Sequence, residues 1–291
     1  MKRLLTMAAL VAMASASQAN LLAYFELNEA SGNAADSSGN GDQTQATAFG
    51  TGLTYNQASV TAGTYGAITI SAGQAAAFGT SIDFGNDRTY ILGNFNVIGA
   101  GRSAIDSLLA PGTGGAKVAG AMTTMAWVDL DSLDDRQSIF TSSDSGGWRF
   151  GTDGSQLIFT TLNSEDFFMA AGLSAGQWYH MAAAVQSDTI SYNLNGNLLG
   201  VQPLGSPYTE DSDSGAARLG GFRAGVENMF GRMDDVKIYS TALDANAIAA
   251  AALPISPVPE PGSALMSTAG LVLIGTWLNR QRRRTGQARA T

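Results

Sequence analysis

The sequence predicts an all-β body of two antiparallel sheets packed face to face, on three observations. Apolar runs of four to ten residues, rich in β-branched and aromatic members, recur between clusters of Gly, Ser, Thr, Asn and Asp, which is strand-and-turn composition. Met125-Ala-Trp127-Val-Asp129 and Met233-Asp-Asp235-Val236-Lys-Ile238-Tyr alternate as strands do when one face meets a core and the other meets solvent. Only one segment between the two ends of the chain reads convincingly as a helix.

Taken in order, strands are expected at Leu22 to Leu27, Ala67 to Ile70, Thr123 to Leu130, Ser138 to Thr141, Gln156 to Thr161, Trp178 to Gln186, Thr189 to Leu194, Asn197 to Val201 and Gly231 to Tyr239. The clearest turn is Asn195-Gly196, two residues suited to the positive φ angles of a type I′ hairpin, joining Ile190–Leu194 to Asn197–Leu199. Asp244 is a good N-cap for a helix over Ala245 to Ala252, and Pro254 closes it. Between Ala46 and Gly120 the pattern weakens into Gly-, Ala- and Thr-rich sequence, with weak strands and a short helix around Ser103 to Leu109 as the available readings. Cysteine is absent, so stability has to come from the core, and the roughly 235 residues of the body suffice for one large all-β domain or two small ones.

Both ends read as processing signals. Lys2 and Arg3 precede the apolar run Leu4 to Met13, and Ser17-Gln18-Ala19 has the small-x-small form of a signal peptidase site; cleavage after Ala19 would start the mature chain at Asn20, and cleavage after Ala16 is the alternative. At the other end stand Val258-Pro259-Glu260-Pro261-Gly262, an apolar stretch from Ser263 to Leu278, and Arg280, Arg282, Arg283 and Arg284. Sixteen residues at about 1.5 Å rise span roughly 24 Å, short of the ~30 Å hydrocarbon core, so a helix there is a poor permanent anchor. The arginines would stay on the cytoplasmic side. This order of motif, apolar helix and basic tail resembles the PEP-CTERM sorting signal of Gram-negative bacteria, which implies processing by a membrane exosortase at Pro259-Glu260-Pro261; an ordinary C-terminal membrane anchor is the alternative. The expected organisation is therefore signal peptide 1–19, β-sandwich body 20–253, sorting signal 254–284 with its four-proline spacer over 254–261, and a tail 285–291.

Charge narrows the function classes. Residues 20 to 258 carry nine basic and twenty-three acidic side chains, a formal charge of −14 against −8 for the whole chain. Such a body repels nucleic-acid phosphates and anionic membranes and suits neutral glycans or cations.

Three blocks of the body resemble the LamG-type concanavalin A-like jelly roll. They are Leu22-Ala-Tyr24-Phe25-Glu26-Leu27-Asn28 with Asp36-Ser-Ser-Gly39-Asn40-Gly41; then Met122 to Val128 through Gly176-Gln-Trp178-Tyr-His180-Met181 to Asn195-Gly196, where the family usually has an aspartate before the glycine; and then Leu219-Gly-Gly221 with Phe230 to Ser240, Leu243 and the final helix. They occur in family order over residues 22 to 250. The resemblance implies an antiparallel jelly-roll sandwich, and a calcium between the early loop and the late aspartate pair, with Asp36 and Asn40 meeting Asp234 or Asp235. Calcium takes six to eight hard oxygen ligands of this kind. Alternation would send one of Asp234 and Asp235 inward and the other outward; the alternative is an Asx-turn at Asp36 with the late pair hydrogen-bonded or on the surface.

Other chemistry is sparse. His180, the sole histidine, excludes His-rich zinc sites and Ser-His-Asp or Cys-His triads that need several partners, and reads as an imidazole packed at the sandwich edge. The Glu-x-Asp-x-x-Glu strand of glucanases in this superfamily does not occur, and Glu165-Asp166 and Glu210-Asp211-Ser-Asp213 read as solvated loops. Gly112-Thr-Gly114-Gly115 lacks the lysine and hydroxyl of a phosphate loop. Trp148 and Tyr208, flanked by turn residues, are candidate sugar-stacking platforms, with ordinary packing as the alternative for Trp148; Trp127 and Trp178 read as core. The expectation is an exported, non-enzymatic protein of the cell surface or extracellular matrix that binds polysaccharide or a matrix protein. A polysaccharide-degrading enzyme and a passive structural or adhesive component are the alternatives.

Overall fold

The strand periods become two eight-stranded antiparallel sheets in a computed structural model, which describes residues 20–39, 45–49, 52–85, 94–98, 105, 108–112, 117–142, 147–161, 165–205, 217–222 and 227–255. In chain order the strands are β1 Leu21–Phe25, β2 Ala34–Ala35, β3 Gln45–Phe49, β4 Thr54–Ala58, β5 Gly63–Tyr65, β6 Ile68–Ile70, β7 Thr80–Asp83, β8 Asn94–Ile98, β9 Ala110–Pro111 and β10 Val118–Ala119. They continue with β11 Ala121–Leu130, β12 Arg136–Thr141, β13 Trp148–Asp153, β14 Gln156–Thr161, β15 Glu165–Ala170, β16 Trp178–Gln186, β17 Thr189–Leu194, β18 Asn197–Pro203, β19 Ala217–Leu219 and β20 Gly231–Tyr239. Two helices, α1 Ala72–Phe78 and α2 Ala245–Ala251, are also described.

The first sheet runs β18-β17-β16-β11-β20-β7-β4, and β1 shares with β7 the far edge of the long strand β20. The second runs β15-β14-β13-β12-β19-β8-β3-β2. Their facing sides make the core: Ala126, Val128, Met181 and Val185 from one sheet meet Phe140, Trp148, Phe150 and Phe159 from the other. Tyr192 crosses between them and donates its hydroxyl to the Phe167 carbonyl at 2.7 Å. The β17–β18 hairpin turns as its residues require, with φ of 53° at Asn195 and 75° at Gly196.

The first sheet carries a second, smaller core on its outer side. Trp127 points away from the main core and is covered by Val60, Ile68, Ile70, Phe78 and Ala252, drawn from the loop before β5, the β5–β6 hairpin, α1 and the end of α2. Its indole N–H donates to the Ala252 carbonyl at 2.7 Å, and its ring makes edge contacts with Tyr65, Phe78 and His180. Helix α1 starts on a capping box in which Ser71 and Gln74 exchange hydrogen bonds, satisfying amides that the first turn leaves free. It lies in the stretch that reads as irregular from sequence. Helix α2 starts at Asp244 as expected, the Asp244 carboxylate accepting from the Ala247 amide at 2.8 Å.

Strand β20 departs from simple alternation. Asp235 has φ of 53°, and the pairing with β11 shifts so that Asp234 opposes Trp127 while Lys237 opposes Met125. An extra residue in a bulge breaks the period of two. The expectation that one aspartate faces inward and one outward is therefore corrected: Asp234 and Asp235 are both buried on the outer side of the first sheet, beneath its covering layer. Of the expected helix at Ser103 to Leu109, Ile105 is helical, Leu108 lies in a turn and Leu109 in a bend, while the other four residues lie outside the described ones.

Candidate functional site

The late aspartates sit in a closed polar nest. The Tyr24 hydroxyl donates to Asp235 Oδ1, and Lys237 Nζ lies 3.1 Å from Asp235 Oδ2. The same ammonium donates to the carbonyls of Ala251 and Leu253, each at 2.8 Å, and stands 4.7 Å from the centre of the Tyr24 ring. All three of its protons are placed. Burial, then the charge and hydrogen bond of Asp235, push the Tyr24 phenol up. Asp234 accepts from the Ser59 hydroxyl, while its other oxygen is buried without a protein partner. Burial and the neighbouring Asp235 raise the Asp234 carboxyl well above the ordinary range.

Asp36 serves the Asx-turn alternative: its Oδ1 accepts from the amides of Tyr24 at 2.9 Å and Ser38 at 2.8 Å. Asn40 lies outside the described residues. The residues present do not fit a calcium site. Asp36 is committed to backbone amides, Asp235 is already matched by a tethered ammonium, and among the described residues no three acidic or imidazole groups converge as metal ligands.

Trp148 is a core residue, so its sugar-stacking reading is corrected in favour of ordinary packing. The ring is fully buried, stacked between Phe140 at 5.0 Å and Phe159 at 6.0 Å. The turn residues before it end at the first residue of β13, whose alternation turns the indole inward. Its N–H is buried without a protein partner. Trp148→Phe loses packing volume but removes that orphan donor, so a net loss of about 1–2 kcal/mol is expected in chemical denaturation. Tyr208, Pro259, Glu260 and Pro261 lie outside the described residues.

His180 is packed against Trp127 in the outer layer, with ring centroids 5.3 Å apart. Its Nδ1 is buried without a partner, and burial first, with the charge of Lys237 second, lowers its pKa to about 3. It is a neutral imidazole and holds no proton to transfer near neutral pH.

A different surface gathers polar groups around an open ring: the outer face of β12 to β15. The register places Arg136 opposite Asp153, and Arg149, Thr160 and Asp166 side by side across β13, β14 and β15. Arg136 donates from Nε and Nη2 to Asp153 Oδ2 at 2.9 and 2.8 Å and from Nη1 to Asp166 Oδ2 at 2.8 Å, while its guanidinium lies 5.7 Å from the centre of the Phe168 ring. Thr160 donates to Asp166 Oδ1 at 2.7 Å and accepts from Arg149 Nη2 at 2.9 Å. Arg149 is also paired with Glu227 and stands 5.3 Å from the Phe222 ring centre. Burial, aided by repulsion from Arg136, lowers the Arg149 pKa to about 10. Burial alone would raise the Asp166 carboxyl, but hydrogen bonds from Thr160 and Arg136 outweigh it and hold it below its ordinary value.

The expectation of a solvated loop at Glu165-Asp166 is thus corrected: both belong to strand β15, and Asp166 is a fixed part of this network. Sequence reasoning missed the face because its members are dispersed over four strands. The available signal was the alternation of Asp166-Phe167-Phe168, which places one phenylalanine on the polar side.

Two eight-stranded sheets around one core, with ordered polar groups on an open sheet face, define a lectin-like β-sandwich. The Laminin_G_3 model of the concanavalin A-like lectin/glucanases superfamily matches residues 104–249, half of the chain, and the protein belongs to that family. Among curated proteins none matches the sequence. Solved structures share the fold at low identity. The binding domain of botulinum neurotoxin DC in complex with rat synaptotagmin II is 12% identical with a TM-score of 0.54, over 80% of this chain and 51% of that one. The same neurotoxin's binding domain in complex with SialylT gives 12%, 0.53, 80% and 51%. Botulinum neurotoxin type C, whose cell entry depends on interaction with two ganglioside molecules, gives 11%, 0.55, 81% and 51%. The chain spans about half the length of these structures.

Proposed function

We propose that this protein is an exported, non-enzymatic carbohydrate-binding protein of the cell surface or extracellular matrix. The observation that carries the reading is the outer face of β12 to β15, where the Phe168 ring lies exposed beside carboxylates held in fixed positions by Arg136. Rings of this kind stack on the apolar faces of sugars, and oriented carboxylates accept from sugar hydroxyls. The fold shared with botulinum neurotoxin type C, whose cell entry depends on interaction with two ganglioside molecules, supports a carbohydrate ligand at the level of fold alone. Export rests on the sequence: signal peptidase cleavage near Ala19, then exosortase processing at Pro259-Glu260-Pro261 after transient anchoring in the inner membrane. The absence of catalysis rests on the sequence, which lacks the Glu-x-Asp-x-x-Glu strand that glucanases of this superfamily carry. A glycan array that includes the producer's own polysaccharide tests the binding; retention supports it, and no retention on any glycan removes it.

A second reading, adhesion to a matrix protein, draws on Leu198 and Val201, which are about half exposed on the edge strand β18, with Leu199 partly exposed beside them. Pull-down of a matrix protein that is lost in Leu198→Asp would favour it.

A further inference from the structure

Resting on the carbohydrate reading, we infer that the β12–β15 face takes an uncharged sugar, a neutral hexose ring laid on Phe168 with its hydroxyls on Asp153 and Asp166, and that it rejects sialylated or uronate-bearing glycans.

Charge access separates neutral from anionic sugars at this face. Phe168 is 38% exposed and lies two residues along β15 from Asp166, on the same side of the strand. The Asp153 and Asp166 side chains are 36% and 33% exposed, and Arg136 bridges them with three N–H groups, so both carboxylates are oriented before any ligand arrives. Each keeps lone pairs that a hydroxyl can reach. The cations are differently placed. Arg136, with a 26% exposed side chain, gives three of its five N–H groups to the two carboxylates, Arg149 is 3% exposed and held by Glu227, and Arg218, next along the sheet, is 8% exposed.

An anionic sugar would therefore meet two exposed carboxylates against one partly exposed guanidinium that already pairs with both. A neutral ring meets no such opposition. Acidic side chains over the rest of the body add a repulsive field of the same sign. Recognition by stacking and hydroxyl acceptance requires no metal, in keeping with the tethered ammonium at Asp235.

The test measures retention of the purified protein on immobilised neutral glucans, mannans and galactans, on polyuronates and on sialylated oligosaccharides at matched ionic strength, with and without EDTA. Retention on at least one neutral polymer is expected, unchanged by EDTA and at least tenfold stronger than on either anionic class. Phe168→Ala, an exposed position whose fold is checked by circular dichroism, should cut that retention tenfold or more, and Phe168→Tyr should preserve it. Asp153→Lys should shift preference toward the polyuronates. Stronger retention on an anionic class, or neutral binding unaltered by Phe168→Ala, overturns this inference while leaving carbohydrate binding standing. No retention on any glycan overturns both.

Discussion

Lys237→Met should lower the stability of the fold by about 3–5 kcal/mol, the range for removing one partner of a buried ion pair and leaving the other charged group uncompensated. The methionine keeps nearly the length of the stem but supplies no proton. Asp235 then retains only the Tyr24 hydroxyl, and the carbonyls of Ala251 and Leu253 lose their shared donor. Three elements are uncoupled together, because the ammonium ties β1 through Tyr24, β20 through its own backbone, and the end of α2. For a domain of this size the midpoint of thermal unfolding should fall on the order of 10 °C. Hydrogen exchange should lose protection selectively at the Ile248 and Ala252 amides, which bond within the final helix. Asp235→Asn in the Lys237→Met background should restore part of the loss, since it removes the orphaned charge. A Lys237→Met protein with the melting temperature of the parent would contradict this account of the nest.

The second large effect is on the pH dependence of stability. His180 is neutral in the fold, with a pKa lowered from 6.5 to about 3 by burial and by the charge of Lys237. Above pH 6.5 both states are neutral and the group contributes nothing. Below it the unfolded chain takes up a proton that the native state refuses, so stability is lost as pH falls from about 6.5 toward about 3. The slope is about 1.4 kcal/mol per pH unit for one proton. Asp234 acts with the opposite sign. Its carboxyl is raised in the fold above its ordinary 3.8, so native protein keeps a proton that the unfolded chain releases, and stability is lost as pH rises above that value. The two contributions offset one another in the parent protein and separate only by difference. Denaturation curves of the parent minus those of His180→Gln should slope upward with pH between about 4 and 6; the parent minus Asp234→Asn should slope downward. Flat differences would mean that neither group is held neutral by burial.

Much of the fold was legible because its strands obey the period of two. The bounds of β14, β16, β17 and β20 agree with the sequence reading to the residue, and Asn195-Gly196 turns as its chemistry demands. The stretch from Ala46 to Gly120 was not legible, for a physical reason. Helix α1 buries only Phe78 and shows no apolar period; its one signature is the cap at Ser71 and Gln74. Strands β4 and β5 are largely exposed and lack an alternating apolar pattern.

The site was harder to read than the fold. The bulge at Asp235 defeats any inference from alternation, since a non-glycine residue at positive φ leaves little trace in sequence. Trp148 drew a sugar-stacking reading beside the packing one because Gly146 and Gly147 immediately precede the strand that buries it. The Arg136–Asp153–Asp166 network has no motif at all. Its members are separated by seventeen and thirteen residues and meet only through the register of β12, β13, β14 and β15. Readings at the two ends of the chain, the leader and the sorting signal, lie outside the described residues and stand on sequence alone.

The most direct measurement is a crystal structure of the protein soaked with a neutral oligosaccharide that it retains. The account predicts one sugar ring in van der Waals contact with Phe168, its hydroxyls within hydrogen-bond reach of Asp153 and Asp166 at about 2.6–3.2 Å, and no metal between protein and sugar. A sugar bound away from β12 to β15, or one held through a cation at the Asp234-Asp235 strand, would contradict it.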